Sequence, residues 1–347
     1  QVLGEMISEK HLAHVAHVVR FIVVFTLVSE LAGAVFIYLS LPEDRGLSER
    51  VFQSVFHSVS AFCNAGFSTL PDGLADSWVR HNAPLHIAIS VLIVLGGIGA
   101  VVVRDCLQYL TQSFRRYRDP ALIRPRLRVH TRLVLVVTLS LIFSGGAAIW
   151  ISEFLLHSGE SNAGSMLTAL FHSITARTAG FNTVDTGAIG PVTVHILVLL
   201  MIIGGSPGGT AGGMRTTVFA AATAHLWTLM RNAPDLVLFR RKLSPTLGPK
   251  ALAIIVLTMA WLFVNFAILR QLQPAVTDTR LFFELVSAFA TVGLSMNLTP
   301  DLTEGAKGLL IVNMFVGRIG LITVVSTLIP VSRARPVQRP AEDIILA

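Results

Sequence analysis

Six apolar stretches dictate what this chain can become: residues 21–41, 84–103, 133–156, 191–229, 251–269 and 306–331. A helix needs about 20 apolar residues to cross a hydrocarbon core, and each stretch reaches that length. Charged residues make up 14% of the sequence and hydrophobic residues 53%, against about a quarter charged in an ordinary soluble domain. The expected fold class is an all-α membrane protein with multiple passes.

The distribution of charge supports that reading. Arg104, Arg115, Arg116, Arg118, Arg124, Arg126, Arg128 and Arg132 fill one connection, Arg231, Arg240, Arg241, Lys242 and Lys250 another, and Arg333, Arg335 and Arg339 the tail. The alternate connections carry the acids, among them Glu43, Asp72, Glu153, Asp185, Asp278 and Asp301. The positive-inside rule places the basic set in the cytoplasm and the acidic set outside. The net charge of +7 thus reports topology, and no aromatic-interleaved basic face or finger spacing argues for nucleic acid. Cys63 and Cys106 fall on opposite sides in this topology and are expected to stay unpaired. The opening QVLGEMISEKH has no initiator Met, basic n-region or cleavage site, so no cleavable signal is expected and the N-terminus reads as trimmed.

A repeat runs through the chain. FHSVSAFCNAGFSTL at 56–70 returns as FHSITARTAGFNT at 171–183 and more loosely as FELVSAFATVGLS at 283–295, with central glycines Gly66, Gly180 and Gly293. Each copy lies between two spans on the acidic side. Residues 52–62, 166–176 and 281–290 are apolar enough to enter the membrane yet too short to cross it, which suits a re-entrant helix. The tetrads that follow are Asn64-Ala65-Gly66-Phe67, Thr178-Ala179-Gly180-Phe181 and Thr291-Val292-Gly293-Leu294. Non-helical backbone at that depth persists only where protein buries it or a water-filled cavity meets it. Backbone carbonyls can there replace the water of a dehydrated cation, and glycine permits the positive φ such a turn needs. The re-entrant helix points its partly negative C-terminal end at the same place.

Two further features interrupt the spans. GGSPGGTAGGMRTT, 204–217, is dense enough in Gly and Pro to break a helix. It lacks the Gly-Lys-Ser/Thr of a phosphate loop, and Ser206 has no His or Asp at a spacing that would make it a hydrolase nucleophile. Arg318 puts a charge inside the last apolar stretch, about twelve residues from either end. Such a charge faces a protein interior or an aqueous path. His11, His14 and His17 read as interfacial, His57 and His172 as packed in the re-entrant helices, and Glu30, Asn265 and Asn313 as hydrogen-bonding between helices.

These residues resemble the Trk/Ktr/HKT superfamily of potassium and sodium transporters, in which four helix–pore loop–helix units surround one pore. The resemblance covers essentially the whole chain and implies three of the four units. It divides the chain into 1–11 as the end of a preceding repeat, 12–103, 133–230 and 251–331 as the second, third and fourth repeats, 104–132 and 231–250 as basic cytoplasmic connections, and 332–347 as a cytoplasmic tail. The three tetrads become the second, third and fourth filter strands, with potassium at their carbonyls and no other cofactor. The glycine-rich loop looks like an intramembrane gate, with Gly204, Gly205, Ser206, Gly208, Gly209, Gly212 and Gly213 as its movable positions and Arg318 projecting into the pore below the filter. Arg177 reads as filter support, donating to carbonyls behind the strand. A first filter strand is not among these residues, and the chain reads as a fragment of a longer transporter.

What the resemblance implies for function is potassium uptake across the cell (inner) membrane by an ion pathway, without enzymatic chemistry. It also implies a homodimer and a cytosolic nucleotide-binding regulatory ring as partners. The ending RPAEDIILA favours the Ktr branch. The alternatives are a sodium-selective or sodium-coupled member of the superfamily, or another secondary transporter with broken helices.

Overall fold

The computed structural model describes residues 2–121, 123–156 and 165–321, with side chains described for 16–121, 123–153 and 165–321. Each repeat contributes a long first helix, a short re-entrant helix and a second helix. The first repeat in the chain comprises α1 (Val2–Ser40), α2 (Leu47–Phe62), α3 (Ala83–Ile98) and a continuation, α4 (Ala100–Arg118). The next comprises α5 (Val129–Leu156), α6 (Met166–Thr175), α7 (Pro191–Ile202) and α8 (Thr216–Met230). The last comprises α9 (Leu247–Leu272), α10 (Asp278–Phe289) and α11 (Glu304–Ile319). A two-stranded hairpin pairing Val237–Leu238 with Arg241–Lys242 decorates the connection before α9.

Among the described residues, three stretches are continuous helices long and apolar enough to cross a membrane: Ala16–Ser40, Val129–Glu153 and Leu247–Leu272. Their outward residues, such as Leu31, Phe143 and Phe263, are more than half exposed, as expected of side chains facing lipid. The other three apolar stretches are broken. The second stops at Ile98, before Gly99 at φ 92°, and α4 departs from α3 at 98°. The fourth stops at Ile202 and resumes at Thr216. The sixth stops at Ile319, before Gly320 at φ 93°, and 322–331 lie outside the described residues. Hydropathy sees composition along a window, whereas a glycine in left-handed backbone ends a helix whatever its neighbours.

Local signals set the remaining ends. Asn82 caps α3, its side chain accepting from the Leu85 amide at 3.1 Å, and Pro84 sits in the first turn. Ser165 caps α6 through the Thr168 amide at 3.1 Å, satisfying a donor that the first turn cannot pair internally. The re-entrant helices bind to their own first helices by matching bonds. Ser58 Oγ donates to the Glu30 carbonyl at 2.6 Å, and Ser173 Oγ to the Ile142 carbonyl at 3.0 Å.

The core falls into two clusters, and the middle repeat belongs to both. Phe171, Ala179 and Phe181 join Ile37, Phe62, Ile89 and Leu92 of the preceding repeat. Leu197, Met201 and Ile202 join Leu262, Phe283 and Phe289 of the following one. In the last repeat Asn313 bridges helices as expected: its amide donates to Asn265 Oδ1 at 3.0 Å and accepts from Trp261 Nε1 at 2.9 Å.

Candidate functional site

The three re-entrant helices end beside one another, and each is followed by a segment with the same backbone signature. Asn64, Thr178 and Thr291 have φ of 52°, 83° and 54°, and the glycines two residues on, Gly66, Gly180 and Gly293, have 70°, 86° and 93°. Positive φ is uncommon outside glycine, so its recurrence at one position in all three segments is the strongest structural regularity in the chain. Alternating handedness turns successive carbonyls toward the same side instead of opposite sides.

The segments are also in contact. A Cβ on Gly66 would collide with the Ala179 carbonyl oxygen, and one on Gly180 with the Val292 carbonyl oxygen. Glycine is therefore required by crowding as well as by φ. On Gly293 the same atom would meet only Gly180 Cα, at 3.8 Å, so the three segments form an arc. Asn64 lies 3.4 Å from Thr178 Oγ1. With its amide nitrogen turned to the carbonyls of Ala61 and Ile93, at 3.1 and 3.2 Å, its oxygen accepts from that hydroxyl. Phe181 and Leu294 are buried, while Phe67 is 70% exposed.

Polar staples fix each segment to its helix. Ser60 Oγ donates to the Phe67 carbonyl and Thr175 Oγ1 to the Phe181 carbonyl, both at 2.8 Å. Eleven residues separate the ends of a second set. His57 Nδ1 donates to the Gln53 carbonyl at 2.8 Å, which leaves Nε2 of the neutral ring to accept from Ser68 Oγ at 2.9 Å. His172 Nε2 lies 3.1 Å from Thr183 Oγ1. In the last repeat the position is Glu284, whose carboxylate accepts from Ser295 Oγ, from the Met296 amide at 3.1 Å and from Thr299 Oγ1 at 3.0 Å. The repeated histidines are thus packing groups that hold the segment's exit, His57 through both ring nitrogens and His172 through Nε2 alone. Their carboxylate counterpart, invisible in the loose third copy of the motif, could have been found by counting eleven residues back from Ser295.

The glycine-rich stretch is non-helical from 203 to 215 and passes directly beneath the arc. It satisfies the carbonyls freed by the end of α3: the Ser206 amide donates to the Gly97 carbonyl at 3.1 Å and the Thr210 amide to the Gly96 carbonyl at 3.2 Å. Thr210 Oγ1 reaches the Phe62 carbonyl at 3.4 Å. On the other side a Cβ on Gly212 would strike Thr291 Oγ1. Ser206 is fully buried, its hydroxyl 3.2 Å from Thr216 Oγ1. Gly208 is the exposed tip, at φ 80°, and Gly213 turns at φ 67°. Gly204, Gly205 and Gly209 pack against neighbouring backbone or side chains.

One arginine differs from expectation in its setting, while a second arginine and Glu30 bond between helices. Arg318 stands in the last turn of α11, two residues before Gly320, not at the middle of a continuous span. From there its guanidinium donates to the Thr210 carbonyl of the loop. Arg177 finds its acceptor behind the arc. It is buried and donates to the carbonyl and hydroxyl of Thr138 on α5, at 3.4 and 3.5 Å. Glu30 lies beside Cys63 at the end of α2, with its carboxylate 3.8 Å from that sulfur, and so at the depth of the arc. Arg215, which the motif contains but hydropathy does not mark, donates to the carbonyls of Ala211 and Ser206. Cys63 and Cys106 are both free. The side chains of His11 and His14 and the RPAEDIILA ending lie outside the described residues.

Residues 1–333 match the sequence profile of the TrkH family, described as cation transport protein. The chain belongs to that family. It is 34% identical over 325 residues to the Ktr system potassium uptake protein B of Vibrio alginolyticus, covering 92% of this chain and 68% of that protein. Identity to the Bacillus subtilis protein of the same name is 33%, covering 92% and 69%. Identity to the potassium/sodium uptake protein NtpJ of Enterococcus hirae is 31%, covering 99% and 75%. The fold matches the crystal structure of the potassium transporter TrkH from Vibrio parahaemolyticus with a TM-score of 0.70 at 20% identity, covering 92% of this chain and 64% of that one. The chain thus spans about two thirds of the length of these relatives, as a membrane protein of a transporter family and not an enzyme.

Proposed function

We propose that this chain lines the ion pathway of a potassium uptake transporter. The observation that carries the reading is the paired positive-φ positions in three contacting segments, Asn64 with Gly66, Thr178 with Gly180 and Thr291 with Gly293. Such backbone presents consecutive carbonyls to one axis, where they replace the hydration shell of a monovalent cation. Four residues of each segment, 64–67, 178–181 and 291–294, are the proposed ligand-bearing stretch. The named uptake proteins among the relatives support potassium as the ion, and the potassium/sodium protein keeps sodium as the alternative at the same site. The membrane potential drives inward flow with about 2.3 kcal/mol per charge per 100 mV.

Below the arc, the loop at 203–215 with Arg318 is the proposed gate. It lies across the axis in this conformation, held by backbone bonds to α3 and by one arginine from α11. Arg177 supports the arc indirectly, by tying its segment to Thr138. A homodimer working with a cytosolic nucleotide-binding ring completes the proposal, with the basic connection at 231–250 as a ring-facing surface.

Gly180→Ser tests the filter assignment. Its side chain would press on the Val292 carbonyl and shift one ligand layer. In proteoliposomes, uptake of potassium or rubidium relative to sodium is expected to fall, with protein yield and melting temperature recorded alongside. Unchanged selectivity in a folded variant would remove the filter reading.

A further inference from the structure

The bend between α3 and α4 places a helix where a membrane surface should be. α3 descends from the side of the re-entrant segments, and α4 leaves it at 98°, so α4 runs across the membrane normal at the opposite face. Its sequence is amphipathic in a way the packing does not use. Leu107, Leu110, Phe114 and Tyr117 recur at spacings of three, four and three, which puts them on one helical face. They are 46, 60, 58 and 87% exposed.

Arg104, Arg115 and Arg118 follow at offsets of eleven and three, along one edge of that face. Arg118 rests on the Phe114 ring at 4.8 Å. Among the described residues Arg104 and Arg115 make no ion pair, and the nearby carboxylate of Asp105 is already engaged by Arg128, whose amide lies at 3.2 Å and whose Nε lies at 3.7 Å. At the base of α4 a cavity of about 250 Å³ opens against α1, lined by Val18, Phe21 and Ile22 on one side and by Arg104, Asp105, Gln108 and Arg128 on the other. An apolar wall and a cationic wall thus meet at one corner.

We propose that this α1–α4 corner binds an anionic phospholipid, with α4 lying in the headgroup layer. The phosphate is held by Arg104, with Arg128 neutralising Asp105 beside it, the acyl chains run along the apolar side of α1, and the exposed stripe of α4 dips into the acyl boundary. The charge pattern selects the occupant. A basic edge beside an apolar face matches an anionic bilayer surface, whereas a soluble partner would have to lift α4 from the plane that its bend imposes. A lipid lodged there would brace α4 against α1, directly behind the Gly99 break whose carbonyl neighbours hold the 203–215 loop.

The test uses the purified transporter. On a background with Cys63 and Cys106 changed to serine, Phe114→Cys is labelled with an environment-sensitive fluorophore and reconstituted in vesicles of phosphatidylcholine with or without phosphatidylglycerol. Brominated acyl chains are expected to quench the label, and aqueous iodide is not. Native mass spectrometry then compares retained phosphatidylglycerol with phosphatidylcholine. The triple variant Arg104→Gln, Arg115→Gln, Arg118→Gln is expected to lose that preference by about fivefold for each arginine, with an unchanged melting temperature in lipid-free detergent. If the triple variant does not fold, Arg104→Gln alone is read for a fivefold loss. A label reached by iodide in vesicles overturns the proposal. So does protection that depends on protein concentration or on an added soluble partner, and so does a folded variant that keeps its lipid preference.

Discussion

The second helix breaks in the same way in the first and last repeats described, at Gly96-Gly97-Ile98-Gly99 and at Gly317-Arg318-Ile319-Gly320. The final glycines share φ of 92° and 93°. The first glycines each lie against the last carbonyl of a re-entrant helix, so that a Cβ would collide with Phe62 O or Phe289 O. Only the second position differs. Gly97 offers its carbonyl to the Ser206 amide, while Arg318 sends a guanidinium to the Thr210 carbonyl. One geometry therefore serves two chemistries: on one side the break holds the loop through its own backbone carbonyls, and on the other through a side chain that a single substitution can remove.

The largest effect should come from the shared position. Gly317→Ala and Gly96→Ala each force a carbon into a carbonyl, and overpacking of this kind costs about 1–3 kcal/mol. Both variants should melt at lower temperature and reach the membrane in reduced yield. If one is tolerated, the two breaks are not equivalent. Next is Arg318→Gln, which removes a charged hydrogen bond of about 1.5–3 kcal/mol. If the loop is the gate, rubidium flux in proteoliposomes should rise by about ten- to a hundredfold, and unchanged flux would leave Arg318 a structural tie. The smallest effect is expected at Gly97→Ala, where the added carbon would sit 3.3 Å from the Asn64 side-chain amide and meet no backbone. Within a helix alanine is favoured over glycine by up to about 1 kcal/mol, which offsets that contact, so stability and flux should be nearly unaltered. A large effect there would mean that Gly97 does more than supply a carbonyl.

The helical membrane fold and the repeat were legible because they rest on periodic composition and on exact copies of short strings. The re-entrant segments were legible because their glycines sit at nearly equal spacing. The helix breaks were not, since Gly99 and Gly320 lie within apolar runs and hydropathy cannot register the sign of φ. Positive φ at Asn64, Thr178 and Thr291 was hidden for a related reason: threonine rarely adopts it, and only contact between neighbouring segments imposes it. Arg318 was found but misplaced, because its distance from the helix end depends on the break at Gly320. Arg177 was read as bonding to carbonyls behind its segment, but a sequence does not say that the carbonyl is that of Thr138 on α5. Glu284 escaped notice because the third copy of the motif replaces histidine with a residue of different chemistry in the same staple.

The middle repeat supplies side chains to both hydrophobic clusters, and this has a consequence for synthesis. Phe62, Ile89 and Leu92 are finished by the ribosome about a hundred residues before Phe181, their packing partner, follows. At typical elongation rates of about 5–20 residues per second, that interval is on the order of 5–20 s. For that time the side chains that Phe181 will cover wait without that partner. A delay or a chaperone contact in this window would act on both clusters, because the middle repeat joins them.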